Sequence, residues 1–291
     1  MKPDVESLIR RAAELIGRLE ALLPPAPAEV DWKASVAYRW RKIANGRGSL
    51  LPVRHVHKIR LEDLRNVDQQ VEQVERNTRQ FVRGLPANNV LLTGARGTGK
   101  SSIIKALLNK YSPKGLRLIE VDKSDLVDLP SIADLVAARK ERFVVFCDDL
   151  SFASGEPGYV ALKVVLDGSV ATTSENLLIY ATSNRRHLMP EYMQENLETK
   201  YLGDEIHPGE TVEEKISLSE RFGMWVSFYP FDQDEYVAIV EHWLEVLGCP
   251  AKEIAAARGE ALQWALLRGS RSGRVAFQFA RDWTGRHSRQ S

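Results

Sequence analysis

Gly94-Ala95-Arg96-Gly97-Thr98-Gly99-Lys100-Ser101 is the stretch that decides the reading of this chain. It matches the pattern G-x-x-x-x-G-K-[ST]. The glycines let the backbone curl until successive N–H groups point at one phosphate. Ala95, Arg96 and Thr98 lie between them, and Ser102 follows at the start of the next helix. That helix adds its positive N-terminal end. Lys100 is placed to reach the outer phosphates, and Ser101 to offer its hydroxyl to Mg²⁺. Apolar Val90-Leu91-Leu92 precedes the loop, and Ile103, Ile104, Ala106, Leu107 and Leu108 follow it. This strand–loop–helix setting favours a phosphate loop over a chance glycine-rich turn.

Further along the chain two apolar runs end in polar residues. Phe143 to Cys147 reads as a strand buried on both faces, and it ends in Asp148-Asp149. A carboxylate there is expected beside the loop, with Asp148 holding Mg²⁺ through its waters and Asp149 polarising an attacking water. Leu177 to Thr182 reads as another strand and ends in Ser183-Asn184. The Asn184 amide is expected to meet the terminal phosphate or the water. Helices are expected over Asn66–Arg83, Ser101–Tyr111, Ser131–Arg139 and Tyr159–Leu166, with further strands over Leu116–Val121 and Trp225–Phe228. Strands alternating with helices imply βαβ units and a parallel sheet, with the site at the strand C-termini. After Phe231 the pattern is wholly helical: Asp232–Leu247, Ala251–Leu267 and Ser272–Thr284.

The fold class expected is thus α/β, a parallel sheet flanked by helices over 61–231, with a helical lid over 232–291. Residues 1–60 read as a helical appendage. Val5, Leu8, Ile9, Ala12, Leu15, Ile16 and Leu19 recur at helical spacing, Pro24, Pro25 and Pro27 form a stiff linker, and a short helix is expected over Trp32–Ile43.

Composition bounds the alternatives. The chain has 291 residues, 44% hydrophobic and 27% charged, which suits a soluble globular protein. Lys+Arg is 40 and Asp+Glu is 39, so a generally basic nucleic-acid coat is excluded. Two cysteines exclude a disulfide scaffold and a Cys-rich zinc module. No apolar run nears the ~20 residues of a membrane span, and the polar start reads as no signal peptide, so a cytoplasmic location is expected. Charge is uneven, however. Asp31–Arg60 holds eight Lys/Arg against one acid, and the tail from Arg268 holds six arginines against Asp282. Such blocks mark either partner surfaces or solvated faces that balance within the fold.

The series of phosphate loop, acidic strand end, Asn-tipped strand, late arginine and helical lid resembles an AAA+ ATPase from about Leu61 to Trp283. Within that superfamily the chain is similar to a bacterial family known as a domain of unknown function. Asn88-Asn89-Val90-Leu91-Leu92, Asp148-Asp149-Leu150-Ser151-Phe152, Ala181-Thr182-Ser183-Asn184-Arg185-Arg186-His187 and Ser219-Glu220-Arg221-Phe222-Gly223 carry that likeness. The last stretch is also similar to the arginine-finger box of bacterial replication initiators.

The resemblance implies ATP and Mg²⁺ as cofactors. It implies that Arg221 reaches a neighbouring copy's nucleotide, that Arg274 (or Arg271) is the lid arginine, and that Val56, Ile59 and Leu64 pack the adenine. A finger acting between copies implies a homo-oligomer, hexameric by analogy, working on a protein or nucleic-acid client. Two departures stand out. Most AAA+ ATPases have Glu where Asp149 stands, and Ala153 stands where an acid is expected, with Glu156 as a substitute. A low-turnover ATP-binding scaffold and an initiator-like nucleic-acid loader are the alternatives to an ATP-hydrolysing remodeller.

Overall fold

The computed structural model describes residues 9–15, 30–42, 48–152, 156–167, 175–184, 200–202, 205–207 and 218–287. Its centre is a seven-stranded sheet. In chain order its strands are β1 (Ala37–Lys42), β2 (Gly48–Pro52), β3 (Val90–Gly94), β4 (Leu116–Glu120), β5 (Arg142–Cys147) and β6 (Leu177–Ser183). The short hairpin β7 (Lys200–Leu202) and β8 (Glu205–His207) lies apart from the sheet, and β9 (Met224–Phe228) completes it. The spatial order is β2-β1-β4-β5-β6-β3-β9. All neighbours run parallel except β1 and β2. β6 therefore lies between the strand that feeds the phosphate loop and the strand that ends in Asp148. The three C-terminal ends open side by side.

Both faces of this sheet are covered, as a parallel sheet requires. Alternate residues of each strand point to opposite faces. Val90, Leu92, Val144, Phe146, Leu178 and Tyr180 join one apolar layer. Leu91, Phe143, Val145, Cys147, Ile179 and Ala181 join the other. The first layer is capped by α1 (Asp68–Val82) and α2 (Lys100–Tyr111), through Val74 and Phe81 and through Ile103, Ile104 and Leu107. The second is capped by α3 (Leu129–Ala137) and α4 (Pro157–Asp167), through Ile132, Val136 and Leu162.

One expectation needs correction. Of the expected helix over Trp32–Ile43, the described residues 32–42 are not helical: Ala37–Lys42 is strand β1, paired with β4 on one side and β2 on the other. The core sheet thus begins inside the stretch expected to be an appendage. Tyr38 and Trp40 are buried while Arg39 and Arg41 face outward, a period of two. Of the expected N-terminal helix, residues 9–15 are helical and exposed. Pro24, Pro25, Pro27, Ala153, Arg185, Arg186 and His187 lie outside the described residues.

The C-terminal part is helical as expected: α5 (Gln233–Val246), α6 (Ala251–Leu267) and α7 (Gly273–His287). A reciprocal cap starts it. Asp232 Oδ1 accepts the Glu235 N–H, and Glu235 Oε2 accepts the Asp232 N–H, both at 2.8 Å. Tyr236, Leu244, Ala261, Phe279 and Ala280 form the inner face of this bundle, continuous with the first core layer.

Candidate functional site

A cavity of about 550 Å³ opens where the sheet's C-terminal ends meet the helical bundle. Its floor is the 94–101 loop. Gly97 and Gly99 have φ of 75° and 101°, a region that suits glycine. A side chain at Gly97 would meet Ser272 at 2.8 Å, and one at Gly94 would meet the Phe228 carbonyl at 1.9 Å. The loop is thus pressed between β9 and the start of α7. The Gly273 N–H donates to the Gly97 carbonyl at 2.9 Å, which brings the next residue, Arg274, to the cavity wall. Arg271 is not among the lining residues, so of the two competing arginines the structure brings Arg274 to the site.

Lys100 is 6% exposed and spends all three ammonium protons locally. They go to the carbonyls of Gly94 and Ala95, each at 2.7 Å, and to Asn184 Oδ1 at 3.1 Å. Burial holds its pKa below the ordinary lysine value; Asp148 and Asp149 oppose that shift, and Arg96 and Arg274 add to it. The other end of the Asn184 amide donates to Asp149 Oδ1 at 2.5 Å. Asn184 therefore bridges the loop lysine to the second aspartate, a link made possible by β6 lying between β3 and β5. Arg96 Nη2 stands 3.7 Å from Asp149 Oδ2, both side chains exposed.

Asp148 Oδ1 accepts the Ser101 hydroxyl at 2.6 Å. Two oxygens that share Mg²⁺ at adjacent octahedral positions, each ~2.0–2.1 Å from the ion, stand roughly 2.9 Å apart. The observed pair needs only a small shift to hold the ion, and both are hard oxygen donors. Among the described residues no cluster of three or more His, Cys, Asp or Glu could ligate a metal unaided. A cation here would be completed by phosphate oxygens and water, as Mg²⁺ sites commonly are.

The wall away from the loop is mostly apolar. Ile59, Leu64, Val67, Phe231, Ile239, Trp243 and Phe277 line it, with Trp243 and Phe277 edge-to-face at 4.7 Å. Of the expected adenine contacts, Ile59 and Leu64 line the cavity. Val56 does not: it packs against the core, and His57 lines the wall instead. Trp243 and Phe277 were not legible as site residues, because an aromatic on an amphipathic helix reads as core packing.

A second unforeseen feature joins this wall to the lid. His242 on α5 lies between Asp63 Oδ1 (3.3 Å) and Arg65 Nη2 (3.1 Å). Arg65 can only donate, so Nδ1 accepts and Nε2–H points at Asp63. Asp63 Oδ2 also accepts the Arg60 N–H at 2.8 Å.

Several expected residues lie elsewhere. Arg221 is not among the lining residues; its Nε pairs with Asp167 of α4 at 2.5 Å. Glu156 is bound to Lys123 at 2.8 Å and does not line the cavity either. Of the eight cations in the basic block up to residue 60, three are matched by acids of β4 and the segment after it. Arg39 meets Glu120 at 2.7 Å, Arg41 meets Asp122 at 2.9 Å, and Lys42 meets Asp128 at 3.4 Å. In the tail, Arg286 pairs with Glu260 and Asp282. These blocks balance within the fold to that extent. Among the described residues no helix is long and apolar enough to cross a membrane.

Comparison with known proteins gives a family. The sequence model described as "Protein of unknown function (DUF815)" matches residues 33–287. No curated protein matches. Solved structures that match include one from the E. coli MS115-1 HORMA:CdnC:Trip13 complex, at 10% identity and TM-score 0.49 over 76% of this chain and 90% of that one. The Thermotoga maritima RuvB Holliday junction branch migration motor matches at 13% identity and TM-score 0.39, over 78% and 71%. The Aeropyrum pernix ORC1 protein in complex with DNA matches at 14% identity and TM-score 0.49, over 82% and 64%.

Proposed function

Since the chain belongs to the DUF815 family of proteins of unknown function, we propose its activity from the cavity: it binds ATP and hydrolyses it with Mg²⁺, in the manner of an AAA+ ATPase. The observation that carries this is the convergence of four separate segments on one cavity: the 94–101 loop, Asp148-Asp149, Asn184 and Arg274.

In this reading the loop's N–H groups, from Gly97 to Ser102, hold the outer phosphates. Lys100 exchanges its carbonyl partners for phosphate oxygens, which carry full charge and bind an ammonium more strongly. Ser101 and Asp148 hold the magnesium ion, which when bound neutralises charge on the outer phosphates. Asp149 accepts a proton from the attacking water, held for that role by Asn184. Arg274 follows the terminal phosphate from the lid. Ile59, Leu64 and the lid aromatics enclose the base.

Arg221 acts in a neighbouring copy's site. Its absence from this chain's own cavity lining and its exposed partner Asp167 support that assignment. A head-to-tail ring or spiral follows from it. Turnover is then coupled to assembly or remodelling of a client. A nucleic-acid client draws little support from the N-terminal basic block, because acids of β4 and its following loop already pair three of its cations.

The test is phosphate release from purified protein. Wild type releases phosphate only with Mg²⁺. Lys100→Ala abolishes release, and Asp149→Asn lowers it by about 10²–10⁴-fold, the range for a general base. Specific activity rises with protein concentration. Release unaffected by Lys100→Ala would overturn the reading.

A further inference from the structure

Asp149 has φ 54°, in the left-handed region, and it is one of two non-glycine residues with positive φ among those described. Such a conformation is costly for most side chains, and short Asp and Asn tolerate it best. It persists only where surrounding groups impose it. Here Asn184 and Arg96 hold the side chain, and Thr182 holds the backbone. Thr182, at the end of β6, is 1% exposed. Its hydroxyl donates to Asp148 Oδ1 at 2.5 Å and accepts the Asp149 N–H at 2.9 Å. Its carbonyl accepts the Leu150 N–H at 2.6 Å. Three successive residues of the acidic turn are thus gripped by one threonine of the neighbouring strand.

We propose that Thr182 is a positioning residue that locks the cation-holding Asp148 and the base Asp149 into one rigid unit. The inference rests on the nucleotide-hydrolysis reading above and deepens it. The hydroxyl aims the Asp148 carboxylate at Ser101. By holding the Asp149 N–H, it turns that residue's backbone so that a side chain one methylene shorter than Glu reaches Asn184. It also accounts for Asp rather than Glu at 149, since the left-handed backbone disfavours the longer side chain. In the sequence a threonine near the end of a strand reads as an ordinary strand former, so nothing marks its role.

Valine replaces the hydroxyl with a methyl group of the same shape, alanine removes both, and serine restores the hydroxyl. Two quantities are measured on the full chain. One is the ratio of ATP dissociation constants without and with Mg²⁺, by calorimetry. The other is the split of steady-state hydrolysis into kcat and KM. Loss of a residue that orients a metal ligand typically costs about 10–100-fold in metal affinity or activity. Thr182→Val is expected to shrink the Mg²⁺ gain in ATP affinity by about tenfold or more, to raise KM for Mg²⁺-ATP by about the same factor, and to lower kcat by about 10–100-fold. Metal-free ATP affinity should not move. Thr182→Ser is expected within about threefold of wild type on both measures. If Thr182→Val fails to fold, Thr182→Ala carries the same expectation. A Mg²⁺ gain and kcat unchanged in the valine or alanine variant would overturn the proposal, as would a serine variant as impaired as valine. A wild type that binds ATP with Mg²⁺ but releases no phosphate would sink the hydrolysis reading instead, and the affinity ratio would still judge Thr182.

Discussion

Asp63→Ala tests the junction between core and lid. Asp63 is 7% exposed. Its carboxylate takes the Arg60 N–H at 2.8 Å and faces His242 Nε2 at 3.3 Å. Alanine leaves both donors without that acceptor. A buried donor left unsatisfied costs ~1–3 kcal/mol, and the long histidine contact counts toward the lower end, so the sum is about 2–4 kcal/mol. For a chain of this size each kcal/mol moves Tm by ~2–4 °C, which gives a fall of about 4–16 °C. Asp63→Asn keeps an oxygen for the Arg60 N–H and should lose less than half as much. The two are compared by thermal unfolding at one protein concentration without nucleotide. On the proposed function ATP affinity should also weaken in Asp63→Ala, because Asp63 and Arg65 line the cavity while His242 lies on α5. An alanine variant that melts with wild type would refute the claim that this carboxylate joins the two parts.

Arg274→Ala should lower ATP turnover by about 10–100-fold, the value of one charged hydrogen bond of ~1.5–3 kcal/mol, while Arg271→Ala stays near wild type; equal loss in both would contradict the placement of Arg274. Cys147 is buried in β5, and burial, with Asp148 beside it, pushes its thiol up to about 12. A thiol reagent at pH 8 should therefore modify one cysteine per native chain, Cys249, and both after denaturation; rapid loss of two thiols from native protein would contradict the sheet. Gly94→Ala places a methyl 1.9 Å from the Phe228 carbonyl at φ 131°, so it should separate β3 from β9 and yield insoluble or partly unfolded protein; a soluble variant with wild-type Tm would contradict this packing.

Much of this architecture was legible because it depends on repeating patterns. The doubly buried strands announce themselves as unbroken apolar runs, and the phosphate loop is fixed by a backbone shape that only its glycines permit. The first strands were less legible. Tyr38 and Trp40 alternate with Arg39 and Arg41, which is a strand signal, yet the stretch over Trp32–Ile43 reads as a short helix. The arginines are accommodated because β4 and the loop after it supply Glu120 and Asp122, partners some eighty residues away that no local window contains.

The site divides in the same way. Lys100, Ser101, Asp148, Asp149 and Asn184 sit in motifs, and all five line the cavity. Asp63, Thr182, His242 and Trp243 make contacts with residues distant in the chain and sit in no motif whose spacing would mark them. Val56 is a third case: it packs against the core without lining the cavity, whereas Ile59 and Leu64, buried in the same core, also line the cavity.

The most direct measurement is a calorimetric titration of the full-length protein with ATP in Mg²⁺, set beside Lys100→Ala. The expected result is saturable binding at one nucleotide per chain for wild type, and its loss in the variant, which has no ammonium at position 100 to meet the phosphates. Absence of heat from the wild type, or identical binding by both proteins, would contradict the claim that the 94–101 loop holds a triphosphate.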